Sequence, residues 1–90
     1  MVTIRIPTQL RVHTGGLSTL EVDGATLAET LESVRVAHPG LYDAIVNADG
    51  TLHRFVNVYV EDDDVRYIGG LATSVEPSQT ISLIPAVAGG

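Results

Sequence analysis

Between Thr26 and His38 this chain carries one complete helical pattern, and the segments on either side of it alternate as strands do. Thr26-Leu27-Ala28-Glu29 has the spacing of a capping box, in which a hydroxyl and a carboxylate satisfy donors that a helix start leaves open. Leu27, Leu31 and Val34 then recur at i, i+4 and i+7 as one apolar stripe, with Glu29, Glu32 and Arg35 toward water. Pro39-Gly40 stops the pattern, leaving Arg35 and His38 near the negative end of the helix dipole. One such helix covers one face of one sheet. The order strand, strand, helix, strand, short strand, strand therefore predicts an α+β domain with a helix across a mixed sheet, not the βαβα alternation of a doubly wound fold.

The strands are read from their period of two. Val2, Ile4 and Ile6 alternate with Thr3 and Arg5 until Pro7 withholds the next ladder donor. A polar, bend-rich stretch containing Thr14-Gly15-Gly16 leads to Leu20 and Val22 against Glu21, closed by Asp23-Gly24, so the pair reads as a wide hairpin. After the helix, Leu41 to Leu52 reads as a loop with some helical character, with an apolar knot at Tyr42, Ile45 and Val46 and then the turn Asn47-Ala48-Asp49-Gly50. His53 to Val60 is the strongest strand, rich in β-branched and aromatic residues. Its uniformly apolar face, Val56, Val58 and Val60, is assigned to the core beneath the helix, which turns Phe55, Asn57 and Tyr59 outward. Glu61-Asp62-Asp63-Asp64 reads as a solvated reversal into a short strand, Val65-Arg66-Tyr67-Ile68. It lacks the alternating ligands, glycine and distal glutamate of a calcium loop, so no metal is expected there. Beyond Gly69-Gly70-Leu71-Ala72-Thr73 and a turn at Glu76-Pro77-Ser78, Ile81 and Leu83 alternate with Ser82 in a last strand that Pro85 ends.

Ninety residues make one domain with one thin core and no room for a deep catalytic cavity. The net charge is −6 and all five basic residues are arginines, which argues against nucleic acid as a partner and favours steering toward a basic protein surface. Cysteine is absent, which removes disulfides, thiolate metal sites and cysteine nucleophiles. The opening residues do not build a signal-peptide core, and no apolar run approaches the roughly 18 residues of a membrane span. A cytoplasmic protein with no membrane partner is the expectation.

The remaining chemical feature is the tail, Ala86-Val87-Ala88-Gly89-Gly90, which has no charged or bulky side chain. At 9 glycines in 90 residues, two at the end are about a one-in-a-hundred coincidence. Glycine has no Cβ, so a Gly-Gly end passes through a narrow channel. The apolar residues before it lie in a groove at no cost in charge desolvation. Such a tail delivers a carboxylate into another protein's active site, where a nucleotide activates it as an acyl adenylate. The chain is then a co-substrate with no catalytic residue of its own.

The strand His53–Val60, the acidic turn into Asp64-Val65-Arg66, Gly69-Gly70-Leu71-Ala72-Thr73 and the ending Ile84-Pro85-Ala86-Val87-Ala88-Gly89-Gly90 together resemble the ThiS/MoaD family of ubiquitin-like sulfur carriers. The resemblance covers almost the whole chain. It is greatest to the actinobacterial branch serving cysteine biosynthesis, which shares Ile6-Pro7-Thr8 and His13-Thr14-Gly15-Gly16. It implies a β-grasp domain over 1–85 and a flexible tail over 86–90. It also implies that an E1-like enzyme uses ATP and Mg²⁺ to adenylate Gly90, after which a sulfur donor displaces AMP and leaves a thiocarboxylate. In the cysteine route a pyridoxal-phosphate-dependent synthase makes an aminoacrylate from O-phosphoserine and accepts the sulfur, and a metal-dependent peptidase releases the cysteine. These cofactors belong to the partners, and none is expected on this chain. Carried over by position, Gly90 takes the sulfur and Gly89 gives clearance behind it. Ala86, Val87 and Ala88 fill the partner's groove, while Phe55 and Tyr59, with Leu71, form the docking face for the activating enzyme. Glu76-Pro77-Ser78-Gln79 departs from the Asp-Gly-Asp-type turn of many relatives, which bears on turn geometry and not on the tail.

Other uses of the same chemistry stay open at this point. The sulfur can serve thiamin, molybdopterin or a 2-thiosugar, the last through a thiosugar synthase. A ubiquitin-like modifier begins with the same adenylate, although a chain without lysine cannot carry isopeptide chains on its own side chains. Catalysis by His13, His38 and His53 has neither metal spacing nor a nucleophile partner to support it.

Overall fold

Alternating burial follows the alternating sequence at the amino terminus. Val2, Ile4 and Ile6 are buried while Thr3 and Arg5 are not, so β1 (Val2–Arg5) turns one face inward. The computed structural model describes residues 1–54 and 56–85. β2 (Thr19–Val22) runs antiparallel to β1, with Val2 opposite Val22 and Ile4 opposite Leu20. Between them the expected bends are a 3-10 turn, Thr8–Thr14, whose Leu10 packs against the core and which Gly15 closes at a φ of 70°. Its apolar residues do not recur at helical spacing, which is why the sequence pattern misses it.

α1 (Leu27–Ala37) starts where the capping residues place it. The Thr26 hydroxyl accepts from the Glu29 N–H at 3.2 Å, and the Glu29 carboxylate accepts from the Ala25 N–H at 3.1 Å, one residue earlier than a capping box requires. Leu27, Leu31 and Val34 are buried, as their spacing predicts, and Thr30 is buried with them. Pro39 both ends α1 and begins α2 (Pro39–Ile45), because its missing N–H costs nothing at a first helical position. The connector is thus a second helix burying Leu41 and Ile45, followed by a reversal at Asn47–Gly50 that Val46 and Leu52 bridge.

β3 (Val56–Val60) and β5 (Thr80–Pro85) pair antiparallel, with Val58 opposite Leu83 and Val60 opposite Ile81. β5 also pairs in parallel with β1, Ile81 opposite Ile4, so the last strand lies between the first and third. With β4 (Asp63–Asp64) at one edge the order is β2-β1-β5-β3-β4, and α1 packs across one face. This is the expected β-grasp. Val58 and Val60 are buried and Val56 half-buried, as assigned.

The acidic run differs from expectation in one respect. Glu61 and Asp62 make the reversal, but Asp63 and Asp64 themselves form β4 against Val60 and Tyr59. The segment read as a short strand is a 3-10 turn, Val65–Tyr67, because the Asp64 carboxylate accepts from the Arg66 N–H at 2.9 Å and holds the chain in a turn. A further 3-10 turn, Gly70–Ala72, returns the chain toward α1, where Thr73 and Val75 exchange backbone hydrogen bonds with Leu27 and Ala25.

Candidate functional site

Of the sequence-derived site residues, Tyr59 and Leu71 can be located. Phe55, Ala86, Val87, Ala88, Gly89 and Gly90 lie outside the described residues. What can be built is the end of β5, from which the tail leads on, and the sheet face away from the helices.

That outer face follows from register. Direct pairings set Thr19, Arg5, Ser82, Tyr59 and Asp64 in one row across all five strands. One step toward the end of β5, Ile84 stands opposite Asn57 and is 45% exposed. The Asn57 side-chain oxygen is buried there with no hydrogen-bond partner among the described residues. Tyr59 is half-buried on this face, whereas Leu71, in the Gly70–Ala72 turn, packs against the buried cluster. Tyr59 thus lies on the outer sheet face, and Leu71 lies in a turn against the core.

Beside the row lies a groove of about 470 Å³ whose walls include Arg5, Pro7, Arg11, Thr19, Ser82 and Ile84. β1 and β5 are parallel, so both strands finish at this groove. Arg11 is held in place by donating its Nε–H to the Ile6 carbonyl at 3.1 Å. Neither Arg5 nor Arg11 has a carboxylate within ion-pair distance among the described residues. Arg5 also borders a shallower hollow shared with Glu61 and Asp62. Sequence reasoning missed this feature. The outward direction of Arg5 was legible in the β1 alternation, but Arg11 sits in the unrecognised 3-10 turn.

Elsewhere, ionic groups are matched locally. Arg66 Nη2 donates to Asp64 at 2.8 Å, and these hydrogen bonds hold the Asp64 carboxyl below the ordinary aspartate range. The Arg66 guanidinium also lies 5.8 Å from the Tyr67 ring centre. Arg35 pairs with Glu32 one turn away on α1, which lowers the Glu32 carboxyl in the same manner. The histidines are dispersed: His13 stands beside Gly40, His38 joins the two helices, and His53 follows the Val46–Leu52 bridge. No three histidine, aspartate or glutamate side chains converge on a metal position among the described residues, and no described helix is long and apolar enough to cross a membrane.

The ThiS family profile matches residues 4–90. Over 91 aligned positions the chain is 43% identical to the sulfur carrier protein CysO of Mycobacterium tuberculosis, covering 99% of this chain and 98% of that one. In the solved BexX/CysO complex from Amycolatopsis orientalis, a chain 48% identical superimposes with a TM-score of 0.92 over the full length of both. The small archaeal modifier protein 3 of Haloferax volcanii is 32% identical over 68 residues, 76% of this chain and 73% of that one.

Proposed function

This chain belongs to the ThiS family, and from that premise we propose that it is a sulfur carrier whose Gly90 carboxylate is the cargo site. The observation carrying the reading is that the family match and the likeness to CysO proteins run nearly end to end and include the Gly-Gly terminus. A resting carboxylate is a poor electrophile. Attack of its oxygen on the α-phosphorus of ATP, in an E1-like enzyme that supplies Mg²⁺, gives an acyl adenylate and pyrophosphate. Sulfide then adds to the acyl carbon and AMP leaves, so a thiocarboxylate forms without any redox change. The folded domain presents the tail and identifies the carrier, and the bond-making groups belong to the partners.

For the acceptor we favour a pyridoxal-phosphate-dependent synthase that adds the sulfur to an aminoacrylate formed from O-phosphoserine, with a metal-dependent peptidase releasing cysteine. The solved complex of CysO with BexX from Amycolatopsis orientalis supports a protein partner for this chain as well. The test is intact-mass measurement after incubation with an E1-like enzyme, ATP and sulfide. One oxygen-to-sulfur exchange that maps to Gly90 and is abolished by deleting Gly90 is the expected result, and absence of activation overturns the reading. Transfer to the phosphoserine-using synthase is expected, and transfer solely to a thiosugar synthase would move the product assignment.

A second reading, protein modification, is favoured by the likeness to small archaeal modifier protein 3. Both uses share the adenylate. Amide-linked conjugates on lysines of other proteins, in place of a thiocarboxylate, would establish it.

A further inference from the structure

We infer that the Arg5–Arg11 groove is a docking site for carboxylate side chains on the protein whose active site receives the tail, an acidic rim around the mouth of its tail channel. The inference rests on the sulfur-carrier reading for the identity of that partner, but the groove itself is a property of the folded domain.

Charge accounting comes first. Asp and Glu outnumber Arg by 11 to 5, so an arginine on this surface has many potential partners in its own chain. Arg35 and Arg66 have taken one each. Arg5 and Arg11 have none among the described residues, although Glu61 and Asp62 stand on the far side of Arg5. The Glu61 carboxylate is engaged instead by the Thr80 N–H at 3.1 Å. Arg11 is also pre-organised, since its bond to the Ile6 carbonyl orients the guanidinium before any partner arrives. Thr19 and Ser82 add hydroxyl donors to the same wall, and exposed Ile84 supplies an apolar contact. A fork of guanidinium donors with flanking hydroxyls suits the oxygens of carboxylates and phosphates alike, and position decides for carboxylates.

Position identifies whose carboxylates these are. Five residues follow Pro85, and a fully extended chain of that length spans at most about 17 Å. A protein that engages Gly90 therefore brings its surface against the end of β5, where the groove lies. The nucleotide phosphates act at the far end of that span, so the groove meets the rim of the partner. Exposed ion pairs at a rim chiefly set orientation and encounter rate. The overall acidity of the chain is thus reversed locally, and the partner should match it with acid beside the channel and base farther out.

Two measurements test this. In the first, hexaglutamate is titrated into the whole protein and followed by NMR. Shifts centred on Arg5, Arg11, Thr19 and Ser82, and lost in Arg5→Glu, are expected; no shifts, or shifts spread over the surface, overturn the site. The Arg5 side chain makes no described hydrogen bond, so its reversal leaves the fold intact, and a melting curve verifies that. In the second, pyrophosphate release by the E1-like enzyme is measured against carrier concentration. Arg5→Gln combined with Arg11→Gln should raise KM about five- to tenfold with kcat nearly unchanged. Arg35→Gln, which removes one arginine charge from the helical layer, should change neither constant, and Arg5→Gln alone, which removes one from the groove, should still raise KM. Equal effects from Arg5→Gln and Arg35→Gln overturn the inference. If wild-type protein is not adenylated at all, the sulfur-carrier reading fails and the hexaglutamate titration still decides the groove. Salt-sensitive self-association that is lost in Arg5→Glu would show that the groove takes the acidic turn of a second copy, which also overturns it.

Discussion

The two ends of the outer sheet face are built from the same alternation of residues, yet their charges are settled differently. Where β5 begins, the acids are absorbed into the fold: Glu61 accepts from the Thr80 N–H, and Glu21 accepts from the Thr3 hydroxyl at 2.6 Å. At the β4 edge, Asp64 caps a turn and pairs with Arg66. Where β5 ends, Arg5 and Arg11 face a groove with no such partner among the described residues. A polar group satisfied internally is spent on structure. One left unsettled beside the segment proposed to carry the chemistry is available for recognition, and the contrast separates a structurally satisfied end of the sheet from the end to which the proposal assigns recognition.

The largest way to break the contrast is through the core that both ends share. Ile81 is fully buried and pairs with both Ile4 and Val60, so Ile81→Ala should cost about 2–5 kcal/mol. Denaturant unfolding followed by tyrosine fluorescence and by circular dichroism should give one shared, shifted transition. Separate transitions would mean that the ends are independent units.

A smaller change strikes the acidic end alone. A Cβ on Gly24 would lie 2.6 Å from the Thr30 nitrogen, in the first turns of α1. Gly24→Ala should therefore cost about 1–3 kcal/mol in denaturant titration while leaving the hexaglutamate response of the groove intact. Loss of that response would show the two ends to be coupled.

The smallest effect sharpens the claim that the acids are structural. Asp64 has its carboxyl held below the ordinary value of 3.8 by Arg66, so its unfolded form takes up a proton first as pH falls. The stability it contributes is complete above that ordinary value and is lost as pH drops through the lower folded value. Asp64→Asn should thus lower the melting temperature slightly at neutral pH and remove part of the decline expected of wild type as pH falls below the ordinary aspartate value. An unchanged profile would place the carboxylate outside the stability balance.

Much of this was legible because the physics is local. Leu27, Leu31 and Val34 predict a buried stripe, Thr26 and Glu29 predict its start, and Val58 and Val60 predict the inward face of β3. The failures are instructive for the same reason. Pro39 does stop α1, but a residue without an N–H also suits a helix start, and the start of α2 is what the loop reading misses. Val65 to Ile68 has strand-forming residues, yet a single carboxylate at Asp64 overrode that propensity. Thr8 to Thr14 offers no period at all, and with it Arg11 was lost from view.

The amino-acid sequence by itself determined α1 and its place across a mixed sheet, and which face of β1, β2, β3 and β5 is apolar, because periodicity and capping act over a few residues. Tertiary structure alone decided that Arg5, Arg11 and Ser82 meet at the end of the last strand. That meeting depends on parallel pairing between strands at opposite ends of the chain, and no local pattern encodes the loop closure that brings them side by side.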